Sequence, residues 1–70
     1  MASEEHYRKS KRINQDIEAL VSSHSGYGHT VMVQFEIGDG PSMFQTTMEP
    51  TDAREFALSI IDACNALPKR

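Results

Sequence analysis

The chain has 70 residues and a single cysteine, with 39% hydrophobic residues, 24% charged residues and a formal net charge of −3. This length allows one small domain with limited apolar burial, and the composition is typical of a globular chain rather than a disordered or fibrous one. One cysteine excludes an internal disulfide, and no apolar run approaches the roughly 18 residues that span a bilayer. We therefore expect a single cytoplasmic domain over residues 1–70, without a membrane segment.

The charge is unevenly distributed along the chain. Residues 1–12 carry a net charge of +2, whereas residues 13–68 carry −7 because eight acidic side chains are accompanied by Arg54 alone. An acidic surface disfavours contact with a phosphate backbone and steers a protein towards basic partners. The charge pattern therefore favours a protein partner over a nucleic acid.

The first third of the sequence predicts a helix. Ser3 followed by two glutamates is typical of a helix start, since the serine accepts an early N–H and acids favour the positive end of the helix dipole. An apolar stripe follows at spacings of four, three and one: Ile13, Ile17, Leu20 and Val21. We expect a helix over residues 4–22, with residues 1–8 frayed at its start.

The middle of the sequence predicts a β-hairpin. A polar connector over residues 22–29 contains glycine and breaks the helical period. Residues 31–37 and 42–48 alternate apolar and polar side chains, and the glycines and proline of residues 38–41 indicate a turn between them. The expected apolar face of the hairpin combines side chains of both strands: Val31, Val33, Phe35, Ile37, Phe44 and Met48.

The last third predicts an amphipathic helix over residues 49–67. Pro50 suits the first helical position, Asp52 lies in the acid-favouring first turn, and Pro68 ends the helix. Apolar residues recur at steps of three and four, as expected for one buried stripe: Ala53, Phe56, Ala57, Ile60, Ile61, Cys64 and Leu67.

These elements predict an α+β fold in the order helix, strand, strand, helix, with an antiparallel hairpin covered on one face by two helices. A lone two-stranded hairpin leaves both edges open and is marginal in water. We therefore expect a homodimer in which the strands of two copies form one four-stranded sheet.

No cofactor, metal or catalytic site is predicted. Zinc sites need three or four converging ligands, and Cys64 falls on the apolar stripe while the three histidines are scattered: His6, His24 and His29. Gly26 and Gly28 stand between a helix and a strand, the reverse of a phosphate-binding loop, which leads from a strand into a helix. The sequence also has no nucleophile elbow or paired-carboxylate spacing, so we expect a protein that is not an enzyme.

A basic segment near the N-terminus supports an alternative, a nucleic-acid-associated regulator. It has four positive charges within five residues: Arg8, Lys9, Lys11 and Arg12. The predicted order of elements resembles a double-stranded-RNA-binding domain. That family, however, has three strands and a lysine cluster at the start of its last helix, where this chain has Glu49 and Asp52.

Residues 48–57, which read Met-Glu-Pro-Thr-Asp-Ala-Arg-Glu-Phe-Ala, resemble a pattern found after a short hairpin in small phage and prophage proteins. The resemblance implies a phage-encoded accessory protein, a class that includes inhibitors of host defence such as anti-CRISPR proteins. It carries no functional residues across, because the shared positions are those of any capped amphipathic helix.

The sequence therefore predicts a non-enzymatic protein-interaction module, a phage-derived inhibitor or regulator that binds a host protein in the host cytoplasm through an acidic surface. A structural or assembly subunit is the remaining alternative. The residues expected to contact the partner are acids of the central and final segments together with two loop residues: Glu36, Asp39, Asp52, Glu55, Asp62, Tyr27 and His29.

Overall fold

Four antiparallel strands and one helix make up the fold. A computed structural model describes residues 4–26, 28–38 and 42–68. The strands lie side by side in chain order in one sheet. The elements are β1 (Glu4–Arg12), β2 (Ile17–Ser25), β3 (Thr30–Ile37), β4 (Met43–Met48) and α1 (Pro50–Asn65).

The prediction of a first helix over residues 4–22 is wrong, because that segment forms β1 and β2. The two strands are joined by a hairpin in which the side chain of Asn14 accepts hydrogen bonds from the backbone N–H groups of Asp16 and Ile17, at 2.8 and 3.1 Å. Such a side-chain turn reverses the chain where a helix would continue. The fold is therefore β-β-β-β-α, and one helix takes the place of the two that were expected to cover the sheet.

Pairing with β3 explains why β2 is a strand rather than part of a helix. Ile17, Ala19 and Val21 are spaced by two, so in a strand they share one face. Their register partners on β3 are apolar as well: Ile37, Phe35 and Val33 respectively. A helix would instead have placed a different set of residues on one stripe: Ile13, Ile17, Leu20 and Val21. The apolar pairs between β2 and β3 stabilise the strand more than this weak local helical preference stabilises a helix.

The predicted hairpin of β3 and β4 is confirmed. Val31 lies opposite Met48 and Phe35 lies opposite Phe44, so these apolar side chains share a face as expected. Gly38 follows β3 with a φ of 71°, a conformation that glycine adopts without steric cost. The turn prediction at residues 39–41 lies outside the described residues.

The predicted final helix is confirmed at its start and is slightly shorter than expected. Pro50 is its first residue and Asp52 lies in its first turn, whereas the helix ends at Asn65 rather than at residue 67. Since one chain forms four strands by itself, the reason given for a strand-paired homodimer no longer holds. The homodimer itself stays a prediction.

The described part of the chain has almost no buried side chains. None of its hydrophobic residues is buried, and Ser22, whose hydroxyl lies 2.9 Å from Nε2 of His24, is the single fully buried residue in those ranges. The chain exposes 5999 Å² of surface, compared with about 4400 Å² expected for a compact monomer of its mass. One side of the sheet therefore lacks most of its cover.

Candidate interaction surface

One face of the sheet is apolar across its central strands. Strand alternation puts alternate residues of β2 and β3 on this face, and register pairing extends it onto β4. We call it the apolar face. Its members are Ile17, Ala19, Val21, Val31, Val33, Phe35, Ile37, Phe44 and Met48.

Helix α1 stands beside this face without closing onto it. The helix approaches the sheet mainly at β3, and within it only Pro50 and Ala53 are even partly buried. Phe56 remains 49% exposed and Ile60 53% exposed, although both face the sheet across a groove. A half-exposed phenylalanine in a groove that is almost entirely apolar is a feature of binding surfaces rather than of a finished core.

The open groove has a volume of about 290 Å³. Its floor is the apolar face and its wall is the helix stripe, while Ile13 of the β1–β2 hairpin closes one end. The lining residues are Ile13, Ala19, Val21, Val31, Val33, Phe35, Met48, Ala53, Phe56, Ala57 and Ile60.

The β1 edge of the apolar face is basic. Lys9 pairs with Val21 and Lys11 pairs with Ala19, so both lysines lie on the apolar face and border a hollow that also includes Tyr7. We call Lys9 and Lys11 the lysine edge. Lysine on an edge strand discourages pairing with further strands, and its long stem still covers apolar surface.

One flank of helix α1 is acidic. At 100° per residue, Asp52, Glu55 and Asp62 fall within about 80° of each other. Asp52 lies about 40° from Phe56, whereas Glu55 and Asp62 lie about 100° and 120° from it, towards Leu58. All three are exposed. We call them the acidic flank. Leu58, which is 56% exposed, lies about 160° around the helix from both Phe56 and Ile60.

The opposite face of the sheet is polar. It has a shallow hollow of about 500 Å³ whose lining includes Arg8, Ser10, Glu18, Leu20, Gln34 and Glu36. Glu18 and Glu36 are direct register partners, an unfavourable like-charge pair, and Arg12 lies on the other side of Glu18. The hollow therefore carries mixed charge rather than a patch of one sign.

The basic segment is divided by the strand. Arg8 and Arg12 lie on the polar face, whereas Lys9 and Lys11 lie on the apolar face. Arg12 also donates to the backbone oxygens of Asn14 and Gln15, both at 3.3 Å. The four positive charges that a helix would have gathered on one side do not form a single patch.

Arg8 is engaged within its own strand. Its Nη2 lies 2.9 Å from Oε1 of Glu5, and its Nε donates to both carboxylate oxygens at 3.0 and 3.2 Å. These hydrogen bonds lower the pKa of Glu5, and the nearby Arg8 charge lowers it further, while the pKa of Arg8 is raised by the same contacts. The β-bulge between Glu5 and Tyr7 lets residues three apart share a face here.

The predicted partner-contact residues do not form one surface. Asp52, Glu55 and Asp62 share the acidic flank, but Glu36 lies on the polar face of the sheet, away from the helix. His29 is exposed just before β3. Two further members of the set, Tyr27 and Asp39, lie outside the described residues.

The histidines come closer together than the sequence indicated. His6, His24 and His29 all border one hollow beside Pro50. Nε2 of His6 lies 2.7 Å from the hydroxyl of Ser25, and His24 contacts Ser22. Within residues 4–26, 28–38 and 42–68, no three His, Cys, Asp or Glu side chains converge closely enough to hold a metal ion. Cys64, expected on a buried stripe, is exposed.

The sequence predicted the helix stripe and six of the nine residues of the apolar face, but not the three that β2 contributes. The available signal was the alternation of Ile17, Ala19 and Val21 after an Asn-containing turn, which competes with the helical spacing of the same region. The lysine edge could not be predicted either. A helix would place the four basic residues on one side, whereas a strand alternates them between two faces.

Comparisons with protein-family models, curated proteins and solved structures find no match to this chain. Of the elements described, none is a helix with the length and apolar character needed to cross a lipid bilayer.

Proposed function

We propose that this chain is a non-enzymatic protein-interaction module that binds another protein chain through its open groove. The observation that carries the proposal is the half-exposed helix stripe facing an apolar sheet across about 290 Å³ of unfilled space. Leaving apolar surface in water costs about 25 cal/mol per Å², so such a surface gains stability by being covered.

The acidic flank supports the more specific proposal of an inhibitor or regulator. Asp52 lies beside Phe56 at the edge of the groove wall, so a partner that filled the groove and extended around that side of the helix would meet Asp52 first, and then Glu55 and Asp62. Apolar contacts supply affinity, and the surrounding acids favour a basic partner over an acidic one. A basic host protein fits that combination, since the acids favour a basic partner and the resemblance to phage accessory proteins implies a host target.

The nucleic-acid alternative is less well supported. Phosphate tracking requires several cations on one accessible side, whereas β1 alternates its four between two faces and Arg8 is held by Glu5. The other alternative, a structural or assembly subunit, also requires protein contacts and would form them through the same open groove. The groove therefore favours protein association over nucleic-acid binding.

Photo-crosslinking from single positions tests the proposal. A photoreactive phenylalanine analogue at position 60 is expected to form adducts with a second polypeptide, identified by mass spectrometry, in purified protein or in a bacterial lysate. The matched control is the same analogue at position 58, which is equally exposed but faces away from the groove. Adducts from position 60 only to the chain's own sheet, in both mixtures, would show a closed monomer and refute the proposal.

A further inference from the structure

The two edges of the sheet differ in how well they are protected. Six of the nine residues of β1 are charged, and a β-bulge interrupts its pairing between Glu5 and Tyr7. Charged side chains, lysine above all, and bulges both discourage a further strand from pairing with an edge. The β1 edge therefore carries the protection that natural sheets use against edge-to-edge association.

The β4 edge lacks this protection. Its residues, Met43–Met48, include no charged side chain and no proline, and their six register pairs with β3 run without a bulge. Five of the six residues are exposed, and α1 approaches the sheet at β3 rather than beyond β4. Among the residues that the structure describes, β4 has no neighbour on its outer side. An uncharged open edge of this kind is a template for one more strand.

The alternation of hydrogen bonds shows which backbone groups of β4 point outwards. The N–H of Ile37 donates to the carbonyl oxygen of Ser42 at 2.9 Å, so this opposed pair is hydrogen-bonded. Hydrogen-bonded pairs alternate along an antiparallel ladder, which directs the backbone groups of Phe44 and Thr46 towards β3. The N–H and C=O groups of the intervening residues therefore point away from the sheet: Met43, Gln45 and Thr47.

β4 is complementary to itself in one antiparallel register. Directly opposed side chains share a face, so a twofold axis perpendicular to the sheet passes beside a single residue of each copy. With the axis beside Thr46, Phe44 of each copy lies opposite Met48 of the other, an apolar cross-strand pair. Gln45 then lies opposite Thr47, and their outward backbone groups form hydrogen bonds. With the axis beside Gln45, Phe44 would lie opposite Thr46 instead, and the apolar pair would be lost.

We propose that β4 of a second copy of this chain pairs with β4 around the axis at Thr46, joining two four-stranded sheets into one sheet of eight strands. The apolar faces of the two copies then lie on the same side, and Phe44, which is 61% exposed, gains Met48 of the second copy as a neighbour. Each β4 edge is used once and the charged β1 edges stay outside, so assembly ends at two copies. The contact involves no residue of α1 and does not depend on the groove being filled.

Single cysteines test the register. In a Cys64→Ser background, Thr46→Cys places two thiols at the axis with their Cα atoms about 4.5 Å apart, a distance that a disulfide spans. Gln45→Cys is the matched control, because its two copies would lie about 7 to 8 Å apart, beyond the reach of a disulfide. Mild oxidation at about 100 µM should crosslink at least about tenfold more of Thr46→Cys than of Gln45→Cys. Equal crosslinking, or a preference for position 45, would overturn the proposal.

Removing one outward N–H tests the backbone pairing. Gln45→Pro deletes a donor that points away from β3, so the sheet within one chain keeps its hydrogen bonds while the contact between copies loses two. The dimer dissociation constant, measured by sedimentation velocity, should rise at least about tenfold. Gln45→Thr keeps the N–H and should dimerise as the unchanged chain does, so equal dissociation constants for the two variants would contradict the pairing. Circular dichroism checks that both variants fold, and the Thr46→Cys crosslink decides the question if Gln45→Pro does not.

The outcomes separate this dimer from the proposed function. An unchanged chain that stays monomeric at about 100 µM, where a dimer with a micromolar dissociation constant is largely formed, would refute the strand pairing. If position 60 of that monomer still formed adducts with another protein, the interaction function would stand. Conversely, a Thr46→Cys crosslink in a chain whose position 60 reacts only with its own sheet would support the dimer and refute the groove as a binding site.

Discussion

Truncating Phe56 measures how much apolar surface the folded protein covers in solution. A phenylalanine side chain offers about 200 Å² of surface, and Phe56 is 49% exposed. Covering the exposed half in an assembly adds about 100 Å², or about 2.5 kcal/mol at about 25 cal/mol per Å². Phe56→Ala should therefore cost about 3 to 5 kcal/mol per chain if the groove is filled, a loss typical of a buried phenylalanine.

Leu58→Ala provides the matched control. Leucine and alanine have similar helix propensities, and Leu58 lies on the exposed side of α1, so this change should cost less than about 0.5 kcal/mol. Both variants keep the helix and remove a large apolar side chain, from the groove side in one case and from the opposite side in the other. The comparison therefore isolates the contribution of the groove.

Thermal unfolding followed by circular dichroism, at about 1 µM and about 100 µM protein, is the assay. Because association stabilises the folded state by mass action, the midpoints of the unchanged chain and of Leu58→Ala should rise with concentration. The midpoint of Phe56→Ala should be much lower at both concentrations. The half of Phe56 that is covered without any partner accounts for about 2.5 kcal/mol. If Phe56→Ala lost no more than that and no midpoint depended on concentration, the groove would not be filled in solution.

Two further predictions concern the turn and the exposed ion pair. Gly38→Ala should lower the free energy of unfolding in urea by about 1 to 2 kcal/mol, because Gly38 has a φ of 71° and nothing lies within 4 Å of the added Cβ. Gly38→Asn should cost less, and equal costs would contradict a purely conformational origin. Arg8→Gln should raise the pKa of Glu5 towards its ordinary value of 4.5, measured by NMR titration of the carboxyl carbon. Since the folded pKa is depressed, this contact stabilises the fold above about pH 4.5 and is lost as the pH falls through the lowered value. Lys9→Gln, on the other face, should leave that pKa unchanged, and an unmoved pKa in Arg8→Gln would exclude the ion pair in solution.

Local chemistry predicted the second half of the fold. The alternation over residues 31–37 and the Pro50 helix start each require only neighbouring residues to be interpreted, and both elements lie where they were predicted. The alignment of Phe44 and Met48 with Val31 and Phe35 also followed from alternation alone. Element boundaries were less certain, since the helix ends two residues early at Asn65.

The first half could not be predicted in the same way. Ile13, Ile17 and Leu20 satisfy a helical period, while Ile17, Ala19 and Val21 satisfy a strand period, so the sequence is compatible with both. The choice depends on β3, whose apolar residues lie directly opposite those of β2. A contact partner 12 to 20 residues away is not encoded in local spacing, and tertiary pairing decided the structure.

The features of the candidate site can likewise be divided into those that the sequence predicts and those that only tertiary contacts decide. By itself, the sequence determined which side of α1 is apolar, which flank is acidic and that the last strand pair shares an apolar face, because periodicity fixes side-chain direction once the element type is known. The tertiary structure decided that Lys9 and Lys11 border that face and that a single helix must serve four strands. The physical reason is that the number of strands relative to the number of helices decides how much of the sheet is covered. The strand number was settled by the long-range pairing of β2 with β3, on which β1 then pairs.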